Sequence, residues 1–473
     1  MSEHPSAGGP ASPGGSEEAG ALVIFGITGD LARKMTFDAL YRLEARGRLG
    51  CPIVGVAIDD WDAEALRSHA RDAIGAHRDT VDEEVLGRLL GRLSYVQGDY
   101  ADEATFGRVA AALASVAHPV FYLEIPPALF GTVVRGLGAA ELTTGARVVV
   151  EKPFGHDLAS ARALNRELLD VLDESQILRI DHFLGKEPVM DLTYLRFANT
   201  LLEPVWNRSY ISHVQMTMAE DLDVADRGGF YDAVGTLRDV VQNHLLQVLA
   251  LVAMEPPARG RPDAIREQKL ELFRAVRAAD PKRYVRGQYE GYLDVDGVAD
   301  DSTTETYVAL ELEVENWRWS GVPFFIRAGK SLPVKATEVN VVFKRAPDLG
   351  LGRSGRPGPN PLVVRIEPRP GAVIRFLTKR AGDESVEPAD LKVLFEHQPD
   401  GGPTPYERLL DDALHGERQL FTREDSVEET WRIVEPLLDD RPKVIPYAPG
   451  SWGPAEATDL TRGVCEWYEP WMD

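Results

Sequence analysis

The 473-residue sequence predicts an α/β doubly wound parallel sheet followed by an α+β region with a large, mainly antiparallel sheet and helices. Three observations predict it. Up to about residue 180, short apolar runs alternate with stretches of helical spacing, the order of β-α-β units. From about residue 200, strand-like runs follow one another without regular helices between them, which favours antiparallel pairing. A glycine turn joins the first apolar run directly to the first helix.

The strand candidates of the first region are Ala21–Phe25, Pro52–Ala57, Leu93–Val96, Val120–Ile125 and Arg147–Val150. Helical spacing covers Arg33–Leu49, Ala63–Ala76, Glu83–Leu93 and Phe106–Ala114 between them. In the second region the strands are Ser212–Ala219, Thr306–Glu315, Glu338–Lys344, Pro361–Glu367 and Val373–Thr378, the last two joined by the turn Pro368-Arg-Pro-Gly371. Helices are expected over about 233–254 and 262–279. The division is a tail at 1–20, a parallel-sheet domain at 21–180 and an α+β domain at 181–473, with the active site expected between the two domains. The tail is mostly Gly, Pro, Ser, Ala and Glu and lacks the apolar segment of a signal peptide, so it reads as disordered.

Composition narrows the function. An apolar fraction of 44% supports a sizeable core. A net charge of −23 argues against a nucleic-acid or membrane-surface binder, so any anion site must be a local basic pocket. Leu245–Met254, the longest apolar run, is too short to span a bilayer. Two cysteines, Cys51 and Cys465, give neither a disulfide framework nor a cysteine metal site, and a reducing cytoplasm fits.

Gly26-Ile-Thr28-Gly29-Asp30-Leu31-Ala32 lies between the first strand and the first helix. Its glycines let the backbone approach a pyrophosphate, and the following helix offers free N–H groups and a favourable dipole. The spacing departs from G-x-G-x-x-G, but the context makes the region a Rossmann-type dinucleotide domain. The second strand ends in Ile58-Asp59-Asp60, carboxylates suited to the ribose hydroxyls of NAD and repulsive to the 2′-phosphate of NADP. Arg33 and Lys34 offset part of that repulsion.

Polar groups gather in four further places. Lys152, in Glu151-Lys-Pro-Phe-Gly155, follows the fifth strand, where open parallel sheets bind ligands. Arg179-Ile-Asp181-His182-Phe183-Leu-Gly-Lys186-Glu187 packs an Asp, a His and a Lys into one turn; Asp181 suits an orienting carboxylate, His182 and Lys186 an anion grip. His244 sits on an apolar helix stripe with Leu237, Val241, Leu245, Val248 and Leu251. That position suits a satisfied core histidine, or a general base oriented by Asp181, Asp239 or Glu220. Asp239, five residues earlier, lies about 140° around an α-helix from His244, so the two should line different walls. Lys330 and Lys335 follow the strand-to-turn run Val322–Gly329 and suit either a polyol contact or a solvated loop.

In this order, the glycine turn, Glu151–Gly155, Arg179–Glu187, Arg227-Gly-Gly-Phe-Tyr231, Arg238–His244 and Arg327-Ala-Gly-Lys330 resemble the glucose-6-phosphate dehydrogenase family over most of the chain beyond the tail. The resemblance implies oxidation of the C1 hydroxyl of glucose 6-phosphate to 6-phosphoglucono-δ-lactone, the first step of the oxidative pentose phosphate pathway, with hydride passing to NADP or NAD and no metal. It implies His244 as base, Asp181 as its partner, and His182 and Lys186 as the phosphate grip. Lys152, Glu220, Asp239, Lys330 and Lys335 become sugar contacts, and Gly26, Thr28, Gly29, Asp30, Leu31 and Lys152 cofactor contacts. It also implies a homodimer or homotetramer joined through the large sheet; the expected localisation is cytoplasmic. The chain departs from the family at Phe183, where tyrosine is usual, and at Ile58, where NADP users place an arginine. Two rivals are another sugar oxidoreductase of similar build, needing no phosphate grip, and a non-catalytic regulatory paralogue, for which a degenerate site would be expected.

Overall fold

The structure, a computed structural model, describes residues 18–113, 116–259, 261, 263–349, 358–382, 385–395 and 402–471. The expected tail falls almost wholly outside them. The described residues form two compact units. One takes in the chain up to Glu151 with Asp170–Leu178 and Tyr406–Leu420; the other takes in Lys152–Leu169, Arg179–Pro405 and the chain from Phe421 onward.

The first unit is built on strands β1 (Ala21–Phe25), β2 (Ile53–Ala57), β3 (Leu93–Gln97), β4 (Pro119–Leu123), β5 (Arg147–Val150) and β6 (Ile177–Arg179). Their order is β3-β2-β1-β4-β5-β6, a doubly wound sheet whose switch point lies between β1 and β4. β1, β2 and β4 are buried along their whole length, which is why their sequences are continuous apolar runs. Asp62, Asp82 and Asp102 each cap a following helix by accepting backbone N–H groups. The sequence showed five of the six strands; β6 has only three residues, too few for a pattern. The first helix starts as a π-helical turn at Ala32–Thr36 and ends at Ala45, short of the expected Leu49.

The second unit carries β7 (Ile211–Ala219), β8 (Tyr284–Tyr289), β9 (Tyr307–Glu313), β10 (Pro323–Gly329), β11 (Ala336–Phe343), β12 (Pro361–Glu367), β13 (Gly371–Lys379), β14 (Val386–Leu394) and β15 (Ile445–Tyr447). The sheet order is β14-β13-β12-β11-β7-β10-β9-β8-β15. All pairs are antiparallel except β7 with β10 and β8 with β15. The parallel exception matters for the site. It sets Ala219 beside Gly329, so the next residues, Glu220 and Lys330, leave the sheet at one end together.

The helical stretch expected over 233–254 is three pieces: Gly228–Thr236, a π-helical run Leu237–Leu245, and an α-helix Leu246–Ala253. Gly235 has φ 71, and a Cβ there would meet Glu305 Oε1 at 2.6 Å, so glycine is required where the chain turns into the π-helical run. Leu246–Ala253 is buried on every side, so its terminal carbonyls cannot reach water. Arg196 donates to Leu251 O and Met254 O, Trp206 to Val252 O and Trp319 to Ala253 O. Each such buried carbonyl would cost about 1–3 kcal/mol if left without a donor. The helix is thus fixed at the end opposite His244. Among the described residues, no helix is long and apolar enough to cross a membrane.

Candidate active site

Eight predicted residues, Lys152, Asp181, His182, Lys186, Glu220, Asp239, His244 and Lys330, fall in the second unit; contacts link seven of them into two sets, and Lys186 stands over Phe183. Asp181 follows β6 and opens a run of tight turns: Leu184 N donates to Asp181 O, Gly185 N to His182 O and Lys186 N to Phe183 O. Asp181 Oδ1 accepts from Phe183 N at 3.0 Å and from His244 Nδ1 at 2.5 Å. His244 Nε2 lies 3.1 Å from Lys152 Nζ. An ionised carboxylate only accepts and an ammonium only donates. The proton of neutral His244 is therefore on Nδ1, and the lone pair on Nε2 points toward Lys152.

The expected separation of Asp239 and His244 is wrong. Lys152 Nζ donates to Asp239 Oδ1 at 3.2 Å and to Asp239 O at 3.0 Å while touching His244 Nε2. The cause is the π-helical run. With hydrogen bonds from i to i+5, residues five apart stack on one face instead of diverging.

Asp181 and His244 are both buried. Burial pushes the His244 imidazole down, and the Asp181 carboxylate opposes this while Lys152 adds to it, so the net shift is downward. Burial alone pushes the Asp181 carboxyl up, but His244, by charge and hydrogen bond, and then His182 and Lys152 hold it well below the carboxylate range. With His244 neutral at pH 7, its part in this is the Nδ1–H bond, and Lys152 supplies the standing charge. The pair is thus a neutral imidazole on an ionised carboxylate, the state a base needs. Burial also pushes Asp239 up, and Lys152 and Lys330 outweigh it, leaving its carboxyl lowered.

Phe183 stacks on His244 at 4.5 Å between ring centroids with 19° between planes, and Lys186 Nζ sits over the Phe183 ring, 3.9 Å from its centroid. His182 packs edge-on to His244 at 4.5 Å. Burial, then the neighbouring His244, lowers His182 to about 3, so it is a neutral donor or acceptor at pH 7. Lys186 is the N-cap residue of helix Glu187–Phe197, where the helix dipole favours an anion. Lys330 Nζ meets Glu220 Oε2 at 2.8 Å. Lys335 is exposed just before β11 and stands outside these contacts. Asp181, His182 and His244 each offer an atom within 4.8 Å of the others, a metal-ligand spacing, but the Asp181–His244 bond engages those atoms with a proton.

Sequence reasoning missed four residues here. Glu367 Oε1 holds Lys186 Nζ at 2.5 Å. Lys269 is buried, and burial lowers its ammonium to about 7 against the pull of Asp181. Gln247 and Thr422 border Asp181 from behind. Of the four, only Lys269 carried a signal, a lysine on the buried side of a helix that starts at Ala264.

The cofactor positions lie in the first unit. Gly26 has φ 86 and a Cβ there would meet Glu124 O at 2.2 Å, so only glycine fits where β1 passes β4 at the switch point. Gly29 N donates to Gly26 O and Gly29 O accepts from Arg33 N, closing the turn around Thr28. Thr28 Oγ1 donates to Asp59 Oδ2 at 2.7 Å, which places the carboxylate at the end of β2 beside the turn. Asp30 and Leu31 lead into the helix, Asp30 pairing with Lys34 at 3.3 Å. This donor set, a tight glycine turn with a carboxylate at the next strand end, fits a dinucleotide.

Residues 23–191 match the family model described as "Glucose-6-phosphate dehydrogenase, NAD binding domain", and residues 193–468 match "Glucose-6-phosphate dehydrogenase, C-terminal domain". The chain belongs to the glucose-6-phosphate dehydrogenase family. It is 54% identical over 460 residues to glucose-6-phosphate 1-dehydrogenase 1 of Mycobacterium tuberculosis, covering 97% of this chain and 98% of the relative. A crystal structure of glucose-6-phosphate 1-dehydrogenase from Mycobacterium avium superposes with a TM-score of 0.90 at 53% identity, covering 96% of this chain and 100% of that one. A glucose-6-phosphate dehydrogenase in complex with its substrate glucose 6-phosphate gives 0.89 at 32% identity, covering 96% and 99%. The chain is therefore an oxidoreductase with a nicotinamide-dinucleotide domain.

Proposed function

We propose that this chain oxidises glucose 6-phosphate at C1 to 6-phosphoglucono-δ-lactone, the first step of the oxidative pentose phosphate pathway. The observation that carries the proposal is His244, buried, neutral, held by Asp181 through Nδ1 and offering its Nε2 lone pair to a group at the Lys152 position. The C1 hydroxyl of the sugar takes that position and gives its proton to Nε2. Asp181 stabilises the imidazolium that forms. Nicotinamide, when bound, accepts the hydride that leaves C1. Lys152, Asp239, Glu220 and Lys330, already paired with one another, exchange those contacts for sugar hydroxyls, with Lys335 as a further contact from the loop. Phe183 gives His244 a fixed stacking plane. His182 donates a neutral N–H to the phosphate and Lys186 its charge, backed by a helix N-terminus. Lys152 also serves as a cofactor contact in this reading.

For the cofactor, Gly26, Thr28, Gly29, Asp30 and Leu31 form the pyrophosphate turn, and Asp59 receives the adenosine ribose. Ile58 is 65% exposed and Lys34 is already paired with Asp30, so of the two cations next to the turn only Arg33 is left to offset the repulsion between Asp59 and a 2′-phosphate. NAD is accordingly used at least comparably to NADP. Steady-state rates with both cofactors test this; an NADP preference above about a hundredfold, roughly 2.7 kcal/mol, would sink it. Exposed Phe376, Leu391, Val393 and Leu394 on β13 and β14 support a homodimer or homotetramer through the large sheet, checked by light scattering. Two free thiols suit a cytoplasmic enzyme.

The direct test of the activity is reduced-nicotinamide absorbance with glucose 6-phosphate against glucose. Equal rates on both would favour a phosphate-indifferent sugar oxidoreductase.

A further inference from the structure

Behind the Asp181–His244 pair is a small cavity lined by Asp181, Gln247, Thr422, Thr430, Gln242 and Asn243, among others. Its volume is about 20 Å³. One water needs roughly 10–15 Å³ of such space and two to four polar partners. Three buried side-chain atoms on residues lining it have no hydrogen-bond partner among the described residues: Asp181 Oδ2, Gln247 Oε1 and Thr422 Oγ1. Lys152 is also on the wall, and its Nζ donates to Asp239 Oδ1 and Asp239 O beside His244 Nε2. Gln242 Nε2 donates to Thr430 Oγ1, Thr430 Oγ1 donates to Val427 O, and Asn243 Nδ2 donates to Arg238 O and Asp239 O.

The three unpartnered atoms match the valence of one water. Asp181 Oδ2 and Gln247 Oε1 are acceptors, and the Thr422 hydroxyl has a proton to give. A water donates twice and accepts once in that setting. Leaving three buried polar atoms unpaired is strongly unfavourable. Both supporting residues sit on fixed backbone. Gln247 lies on the helix pinned by Arg196, Trp206 and Trp319, and Thr422 is bridged to Arg179, two residues before Asp181, by its backbone N–H to Arg179 O.

We propose that a single buried water, held by Thr422 and Gln247 as positioning residues, fixes the second oxygen of Asp181 and so aligns His244. The inference rests on the catalytic reading of His244 and Asp181 given above. With Oδ2 tethered, the carboxylate cannot rotate about its last bond, and Oδ1 stays aimed at His244 Nδ1. Neither Thr422 nor Gln247 touches substrate.

Two measurements test it. A crystal structure of the unmodified chain at high resolution is expected to show one ordered water within hydrogen-bonding distance of Asp181 Oδ2, Gln247 Oε1 and Thr422 Oγ1; an empty cavity would overturn the proposal. Thr422→Val is expected to lower kcat about tenfold, the worth of one buried hydrogen bond that holds the water, with KM for glucose 6-phosphate within about twofold. Thr422→Ser, which keeps the hydroxyl, is expected to restore kcat. Equal kcat in all three proteins, or a rise in KM that matches the loss, would also overturn it. Turnover by the unmodified chain in the same assay shows separately whether the catalytic reading stands. Should Thr422→Val fail to fold, the water density decides alone.

Discussion

Replacing Asp181 with Asn keeps the size of the side chain and removes its charge. In the ground state little changes, because His244 is neutral there. As the C1 proton moves to Nε2, an imidazolium forms against Asp181 Oδ1, 2.5 Å from Nδ1. Unit charges about 4 Å apart interact by roughly 4 kcal/mol at an effective dielectric near 20. Loss of that stabilisation lowers kcat by roughly 10²–10³-fold, at about 1.4 kcal/mol per decade. The Asn amide can also donate to Nδ1 and leave the Nε2 lone pair protonated, which acts in the same direction. KM for glucose 6-phosphate should hardly move, since Asp181 is turned to His244 and not to the sugar. The pH profile adds a sign. Asp181 raises His244, so without it the acid limb of kcat/KM shifts to lower pH. The assay is reduced-nicotinamide absorbance across pH 5–8 (about the range in which histidine titrates). A kcat within tenfold of the parent, or a limb that moves up, would refute the reasoning.

Lys152→Gln should move the same limb the other way, because the Lys152 charge lowers His244 and its removal lets the imidazole protonate at higher pH; kcat falls as well. Glu367→Gln frees Lys186 from a partly exposed ion pair of about 1 kcal/mol, so KM for glucose 6-phosphate should fall about fivefold with kcat unchanged, measured by steady-state kinetics. Asp59→Ala removes the carboxylate bound to Thr28 and should raise KM for NAD about tenfold or more while sparing NADP, read from cofactor saturation curves. His182 should stay neutral until the pH nears about 3; proton NMR of its imidazole that titrated at the ordinary histidine value would contradict the burial assigned to it.

Much of this fold was legible because burial writes itself into period. β1, β2 and β4 are buried on both faces and read as unbroken apolar runs. β12 and β5 were bounded to the residue by flanking turns. What escaped was mostly short or exposed: β6 with three residues, β15 with three, and β14, none of whose residues is buried; β8 escaped too, because Tyr284-Val-Arg-Gly-Gln-Tyr289 puts Arg286 and Gly287 at buried positions and so breaks the apolar pattern. The site residues were found from chemistry and from the resemblance, but their geometry was not. Asp239 and His244 share a face only because Leu237–Leu245 is wound as a π-helix, and residue types do not announce that winding. Glu367 and Thr422 come from segments 181 and 241 residues beyond the groups they serve, by hydrogen bond in the first case and by the shared cavity wall in the second. Long-range pairings of this kind leave no local pattern to read.

The central claim is that His244 is the base. His244→Asn removes the Nε2 lone pair and keeps a small polar side chain beside Asp181. Turnover of glucose 6-phosphate should fall by about 10²–10⁴-fold, the range for a lost general base, while the calorimetric Kd for glucose 6-phosphate changes by less than about threefold. Full turnover in that variant would contradict the account, and so would a loss of activity matched by an equal loss of binding.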